Sequence, residues 1–205
     1  NRVDRELAKL GMTLYEIAQK IVLPPILCLW RFKAEGAEQV PSSGPLIVAC
    51  NHASYMDPVA LGVACPRPLA YMAKIELFSL PILGPLIRRL NAYPVDRSAS
   101  PIAGMKRSIE MLRQGKAIGI FPQGTRVRNG EGNIYEGVAL LASLGKAPVV
   151  PARITGSDEA LRLRQIKVAF GPPLRLSPDR KASREDLANF TAEIMRAIRE
   201  LAPSK

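Results

Sequence analysis

Short apolar segments alternate with amphipathic helical patterns from Pro45 onward, and this alternation restricts the fold more than any other feature. Each apolar segment has the length and composition of a buried strand. The five segments are Leu46 to Cys50, Leu69 to Ala73, Ala117 to Phe121, Val149 to Ile154 and Ile166 to Phe170. Because alternating strands and helices place helices on the faces of a sheet, the sequence predicts an α/β domain with a mixed, mostly parallel sheet flanked by helices.

Two helices carry clear start signals. Pro101 follows Ser100, which suits the first helical turn, and Gly115 stands just beyond the end of the apolar stripe. Ser183, followed by Glu185 and Asp186, opens a final helix with an apolar stripe that faces the core. At 205 residues and 47% hydrophobic composition, the chain is expected to form one globular domain.

Residues 1–35 form a separate amphipathic segment in which leucines and isoleucines alternate with lysines and arginines. Two interpretations are open: a helix lying in a membrane interface, or an N-terminal helix packed on the core. The longest apolar stretch, Ile21 to Trp30, is interrupted by Pro24 and Pro25 and is too short to span a bilayer. We expect a membrane-association segment over 1–35 and the main globular domain over 36–205.

The charge of the chain favours an anionic partner. There are 29 Lys and Arg against 18 Asp and Glu, a net charge of +11, which suits phosphate esters, acidic lipids, acidic carrier proteins or nucleic acid. Nucleic acid is disfavoured because only 5% of the residues are aromatic. The three cysteines are odd in number and lack metal-like spacing, so we expect a reducing cytoplasmic setting, no disulfide and no zinc.

His52 is the only histidine, and it directly follows the first predicted strand. Asp57 comes five positions later, before Pro58, where a helix can begin. One turn of chain would bring the carboxylate onto the imidazole, which would fix its tautomer and let the other ring nitrogen act as a general base. The spacing alone is equally compatible with a buried structural histidine.

Four sequence blocks occur in order along the chain, and the first of them contains His52 and Asp57. Asn51 to Asp57 reads Asn-His-Ala-Ser-Tyr-Met-Asp, and Gly84 to Arg97 ends in Asp-Arg. Phe121 to Arg126 reads Phe-Pro-Gln-Gly-Thr-Arg, and Val149 to Ala152 is an apolar strand with a proline. Together they resemble the conserved blocks of the glycerolipid acyltransferases and cover roughly residues 40–175.

This resemblance implies that residues 36–205 form an acyltransferase catalytic domain, and it implies the reaction that the domain catalyses. His52 would deprotonate an acceptor hydroxyl, Asp57 would orient it, and the oxygen would attack an acyl thioester of coenzyme A or acyl carrier protein. The implied acceptor is lysophosphatidate (1-acylglycerol 3-phosphate) at its sn-2 hydroxyl, with glycerol 3-phosphate or another lysophospholipid as the alternative. No cofactor or metal is implied. The protein is expected at the cytoplasmic face of the cell membrane, peripheral or monotopic, on an anionic surface.

The resemblance also implies substrate-binding residues. Arg97 and Arg126 match arginines of the family that bind phosphate, for which a planar guanidinium is well suited. Gly124 permits a tight turn beside the phosphate. Lys74 follows a predicted strand and is a further candidate. The remaining candidates come from the matched blocks: Asn51, Ser54, Gln123, Thr125 and Pro151.

Gln123 departs from the family pattern, which has glutamate there. Glutamine keeps the shape and an acceptor oxygen but has no charge. We hypothesise that Gln123 contributes hydrogen bonds in the acceptor pocket rather than acid–base chemistry.

Two rival interpretations remain. Cys50, two residues before His52, invites a covalent acyl-thiolate route, although a cysteine ending a buried strand is more often an apolar filler. A catalytically disabled lipid-binding module would also account for the basic charge.

Overall fold

The computed structural model describes residues 14–95, 101–126, 137–176 and 182–201. Within them, one sheet has the strand order β1-β7-β6-β2-β5-β3-β4. Neighbouring strands are parallel except β6 and β7, which are antiparallel. This confirms the predicted α/β domain. The strands are β1 Lys33–Glu35, β2 Leu46–Cys50, β3 Leu69–Lys74, β4 Ala92–Val95, β5 Ala117–Ile120, β6 Val149–Thr155 and β7 Lys167–Phe170.

The described α-helices flank this sheet. Two of them begin where the sequence predicted, at Pro101 and directly after Ser183. Ser183 Oγ accepts a hydrogen bond from the N–H of Asp186 at 3.1 Å, and Asp186 Oδ2 accepts one from the N–H of Ser183 at 2.8 Å, which completes a capping box. The helices are α1 Leu14–Ile17, α2 Leu23–Leu27, α3 Asp57–Ala64, α4 Leu83–Arg89, α5 Pro101–Arg113, α6 Gly137–Gly145 and α7 Arg184–Glu200.

Strand β2 lies at the centre of the sheet and is buried on both faces. Its Ile47 and Ala49 belong to the core beneath α5, α6 and α7. Leu46, Val48 and Cys50 point to the opposite core, beneath α3. All five side chains are inaccessible to solvent, as expected where helices cover both faces of a parallel sheet. The loop after β2 therefore starts from the most rigid strand of the domain.

The described part of the N-terminal segment packs on the rest of the α/β domain. It continues from α1 through a π-helical turn, Ala18–Val22, into α2. Tyr15 Oη accepts a hydrogen bond from the N–H of Leu69 at 3.0 Å, and Gln19 Nε2 donates to the carbonyl oxygens of Gly62 and Cys65. Ile21, by contrast, is exposed. Among the described helices, none has both the length and the apolarity needed to cross a membrane.

The sequence prediction omitted the two edge strands of the sheet. Strand β1 is only three residues long and contains two charged residues, and it pairs with β7. Strand β4 contains Pro94, which lacks an N–H for the ladder and suits an edge position. Strand β1 has no apolar run, and in β4 the proline interrupts a run of only four residues. The predicted strands agree with the structure to within one residue at each end.

Candidate active site

The site lies where β2 and β5 end. Because these strands are parallel and hydrogen-bonded, their carboxyl ends meet at the same edge, and the loops that follow them are brought together. His52 is in the loop after β2, and Phe121 begins the loop after β5. Two blocks that are 69 residues apart in the sequence, measured from His52 to Phe121, thus become one surface.

His52 and Asp57 form a hydrogen-bonded pair, as the sequence predicted. His52 Nδ1 lies 2.8 Å from Asp57 Oδ2. The same carboxylate oxygen accepts hydrogen bonds from the N–H groups of Ala53, at 2.7 Å, and Ser54, at 2.8 Å. Asp57 is fully buried and is the first residue of α3, where a helix favours negative charge. In the tautomer with the proton on Nδ1, the ring donates to this carboxylate and Nε2 carries the lone pair.

Aromatic stacking fixes the plane of the imidazole. The ring of Phe121 lies against that of His52, with centroids 4.2 Å apart and planes 23° apart. Tyr71 in β3 stacks behind Phe121 at 6.4 Å. Gly119 makes room for this arrangement, because a Cβ there would overlap the Tyr71 ring. Phe121 and Tyr71 were not among the predicted site residues, although Phe121 is an aromatic residue at the end of a predicted strand.

Gln123 is connected to the catalytic loop through its side chain. Its Oε1 accepts a hydrogen bond from the backbone N–H of His52 at 2.9 Å, and the residue is only 3% exposed. The side-chain carbonyl therefore faces the His52 loop. Glutamine and glutamate both provide such an acceptor, but glutamine does so without a second buried negative charge near Asp57.

Three other predicted residues have partners within the protein. Asn51 Nδ2 donates to the carbonyl of Ile154 at 2.9 Å, and Asn51 Oδ1 accepts from the N–H of Ile154 at 2.8 Å, which fastens the loop to β6. Ser54 Oγ accepts from the N–H of Met56 at 3.2 Å. Pro151 is buried inside β6, in register with Ala49. These contacts hold the loop after β2 against β6 and fix its conformation.

Arg126 lies beside the catalytic loop. Its guanidinium carbon is 3.5 Å from the centroid of the Tyr55 ring, a close cation–π contact. Tyr55 is 79% exposed and stands between His52 and Asp57 in the sequence. Gly124 has a φ of +64°, and its N–H donates to the carbonyl of Phe121 at 2.9 Å, so the predicted tight turn is present. This turn directs the exposed Thr125 and Arg126 outward.

Lys74 and Arg97 are the other two cations predicted to bind phosphate. Lys74 is the last residue of β3 and is exposed at the same edge of the sheet as His52. Arg97 lies outside the described residues. Within the described ranges, no three His, Cys, Asp or Glu side chains are grouped so that they could hold a metal ion.

Cys50 is unsuited to nucleophilic attack. Its thiol is fully buried at the end of β2. Burial raises the pKa of the Cys50 thiol well above its ordinary value, and the nearby Asp57 carboxylate raises it further. The reactive thiolate is therefore scarce at neutral pH.

Comparison with known proteins shows the family to which the chain belongs. The sequence model of the Acyltransferase family matches residues 31–155, more than half of the chain. The chain belongs to the acyltransferase family. All the predicted site residues, from Asn51 to Pro151, fall within the matched region. The resemblance drawn from the four sequence blocks is thereby confirmed.

Individual relatives of this acyltransferase extend the comparison. It is 33% identical over 174 residues to the 1-acyl-sn-glycerol-3-phosphate acyltransferase of Bacillus subtilis (strain 168), which covers 82% of this chain and 87% of that protein. It is 27% identical over 186 residues to the Streptococcus pneumoniae protein of the same name, covering 86% and 69%. The crystal structure of the 1-acyl-sn-glycerophosphate (LPA) acyltransferase PlsC from Thermotoga maritima is similar, with a TM-score of 0.68, 27% identity and coverage of 95% of this chain and 86% of that one.

Proposed function

We propose that this acyltransferase transfers a fatty acyl group from an acyl thioester to the sn-2 hydroxyl of 1-acylglycerol 3-phosphate, which forms phosphatidic acid. The thioester would be carried by coenzyme A or acyl carrier protein. Support for the acceptor comes from the names of the relatives from Bacillus subtilis and Streptococcus pneumoniae and of the Thermotoga maritima structure.

The observation that carries the proposed chemistry is the 2.8 Å contact between His52 Nδ1 and the buried Oδ2 of Asp57, which also accepts hydrogen bonds from two backbone N–H groups. With its proton on Nδ1, His52 takes the proton of the acceptor hydroxyl at Nε2 while the oxygen attacks the thioester carbonyl. Asp57 stabilises the resulting imidazolium. When the tetrahedral intermediate collapses, the carbon–sulfur bond breaks and the imidazolium returns the proton to the departing sulfur. General-base catalysis of this kind contributes roughly 10²- to 10⁴-fold.

In this mechanism, no side chain of the protein carries the acyl group. The buried, protonated Cys50 supports direct transfer over a covalent thiol route. The protein then contributes mainly by orienting the two substrates, which alone can lower the barrier by several kcal/mol.

Arg126 is proposed to bind the phosphate of the acceptor. Stacking on Tyr55 holds its guanidinium beside the loop that carries His52 and leaves the planar N–H groups at the edge of the stack available. Arg97 and Lys74 are proposed as further phosphate ligands. Lys74 is supported by its exposed position at the carboxyl end of β3.

We also propose that the protein acts at the cytoplasmic face of the cell membrane as a peripheral or monotopic protein. Its charge of +11 and the exposed Ile21 and Leu29 in the N-terminal segment support this placement.

The proposal is tested by measuring acyl transfer with the purified chain, using both acyl-coenzyme A and acyl carrier protein as donors. Lysophosphatidate and glycerol 3-phosphate are compared as acceptors. We expect transfer to lysophosphatidate, its loss in His52→Ala and its retention in Cys50→Ala. Equal rates in the intact chain and in His52→Ala, or no transfer by either, would refute the assignment. Loss of activity in Cys50→Ala, with an acylated cysteine in the intact chain, would revive the covalent route.

A further inference from the structure

A contiguous stretch of sequence after β3 exposes six large aliphatic side chains. We refer to these six as the 75–86 patch. They belong to the 3₁₀ turn Ile75–Ser79, the following linker and α4. The exposed fractions are Ile75 44%, Leu77 37%, Leu80 45%, Ile82 84%, Leu83 36% and Leu86 44%. Exposed aliphatic residues at this density are uncommon in soluble domains unless the surface has a partner.

The packing of the segment explains why these side chains face outward. Phe78 is buried, and its carbonyl oxygen contacts α4 so closely that a Cβ on Gly84 would overlap it. The 3₁₀ turn and α4 are thus joined through one aromatic residue and one glycine. A larger residue at position 84 would push the two apart. This contact holds the 3₁₀ turn against α4, and the aliphatic residues of both are left at the surface.

The residues bordering the patch are mainly cationic. Lys74, Arg88 and Arg89 are all exposed, whereas Glu76 is the one acid between Lys74 and Arg89. The guanidinium carbon of Arg88 lies 4.8 Å from the centroid of the Phe78 ring, which keeps this charge at the margin of the patch. Aliphatic residues surrounded by lysine and arginine match the chemistry of an anionic lipid surface, with acyl chains inside and phosphates at the headgroup level.

The patch begins at the same edge of the sheet as the active site, and α4 then leads back toward the opposite edge, where β4 begins. Strands β2, β5, β3 and β4 are parallel, so the segment that leaves β3 at Lys74 emerges beside the loops containing His52 and Phe121. Tyr71, three residues before Lys74, stacks on Phe121, which stacks on His52. A surface that touches lipid through this patch would bring the catalytic base close to acceptors in the same leaflet.

We propose that the 75–86 patch is a membrane-contact surface of the catalytic domain, which seats the active-site edge on an anionic bilayer in addition to the N-terminal segment. The inference rests on the proposed function, because it takes the acceptor to be a lipid drawn from the membrane. It adds a second contact site that turns the catalytic edge toward the leaflet.

The test is flotation of the full chain with vesicles of phosphatidylcholine containing one third phosphatidylglycerol. The variant Ile82→Asp/Leu86→Asp is compared with Gln114→Asp/Leu144→Asp, which adds the same charge at exposed positions just before β5 and β6, at the opposite edge of the sheet. We expect the 82/86 variant to lose about tenfold or more in vesicle affinity and the 114/144 variant to bind nearly as the parent does. Equal affinities for the two variants would overturn the proposal.

Activity measurements separate the membrane from other occupants of the patch. With lysophosphatidate embedded in vesicles, the 82/86 variant should be slower by a similar factor. With a short-chain lysophosphatidate below its critical micelle concentration, it should match the parent. A loss on both acceptors would indicate a groove for substrate chains, and a loss of self-association in sedimentation velocity would indicate a second copy of the chain. Either result would refute the proposal.

If the parent transfers no acyl group to any acceptor, the proposed function fails while vesicle flotation still decides the role of the patch.

Discussion

The side-chain carbonyl of Gln123 accepts a hydrogen bond from the backbone N–H of His52, with Oε1 2.9 Å from the nitrogen. This contact joins the loop after β5 to the loop after β2 behind the catalytic pair. In the proposed mechanism this contact makes Gln123 a positioning residue, since it acts on the backbone of His52, the proposed base, and leaves the reacting atoms to that residue.

Replacing Gln123 by Leu should lower kcat by about tenfold to a hundredfold, because a buried N–H loses its acceptor and the His52 loop loses a constraint. Gln123→Glu should stay within about tenfold of the parent, since it retains the acceptor oxygen but adds a buried charge near Asp57. Steady-state rates of acyl transfer, with circular dichroism as the folding control, check both variants. A rise of several orders of magnitude in Gln123→Glu would contradict this role.

Asp57→Asn should reduce kcat by about 10²- to 10⁴-fold. If the Asn oxygen takes the place of Oδ2, it keeps all three contacts but stabilises the imidazolium poorly; the other rotamer presents NH₂ to Nδ1, which selects the wrong tautomer, and loses the hydrogen bonds from Ala53 and Ser54. The measurement is kcat and KM for both substrates across pH. If Asp57→Asn retains the parent kcat, the carboxylate is not required and the pair is structural.

Arg126→Ala should raise KM for lysophosphatidate by about tenfold or more with a smaller effect on KM for the thioester, because one charge-assisted phosphate contact is lost. Tyr55→Ala should raise the same KM by a smaller factor, since it removes only the ring that holds the guanidinium. Arg113→Ala, an exposed arginine at the end of α5, is the matched control and should leave KM unchanged. Equal changes in Arg126→Ala and Arg113→Ala would show that only overall charge matters.

The stability of the domain should fall at alkaline pH. Burial raises the pKa of Cys65 from 9.0 to about 11 and the pKa of Tyr15 from 10.0 to about 12. Both groups are neutral when protonated, so above pH 9 the unfolded chain releases protons that the folded chain keeps. Stability is therefore complete below the unfolded pKa values and is lost as pH rises toward the folded ones. Cys65 alone accounts for about 3 kcal/mol of this loss.

Urea unfolding at several pH values from 7 to 11 measures this loss. In Cys65→Ala the free energy of unfolding should decline less steeply above pH 9 than in the parent. Parallel declines in the two proteins would show that Cys65 does not contribute.

The fold class and the contact between His52 and Asp57 could be predicted from local sequence alone. Buried strands such as β2 and β6 need continuous apolar runs, and Pro101 and Ser183 are local start signals, so these features are visible without tertiary contacts. His52 and Asp57 are also close in sequence, and five residues suffice to turn the chain back at the start of α3. Edge strand β1 was missed because an edge needs no apolar run, and β4 was missed because Pro94 interrupts a short one.

Contacts between distant segments required the tertiary structure. The stacking of Phe121 and Tyr71 behind His52, and the bond from the His52 N–H to Gln123, depend on β5 lying between β2 and β3 in the sheet. No local pattern encodes which strands become neighbours, since that choice follows from how all the helices and strands share the two cores. The sequence alone thus determined which residues could do the chemistry. The order of the strands decided which residues hold them in place.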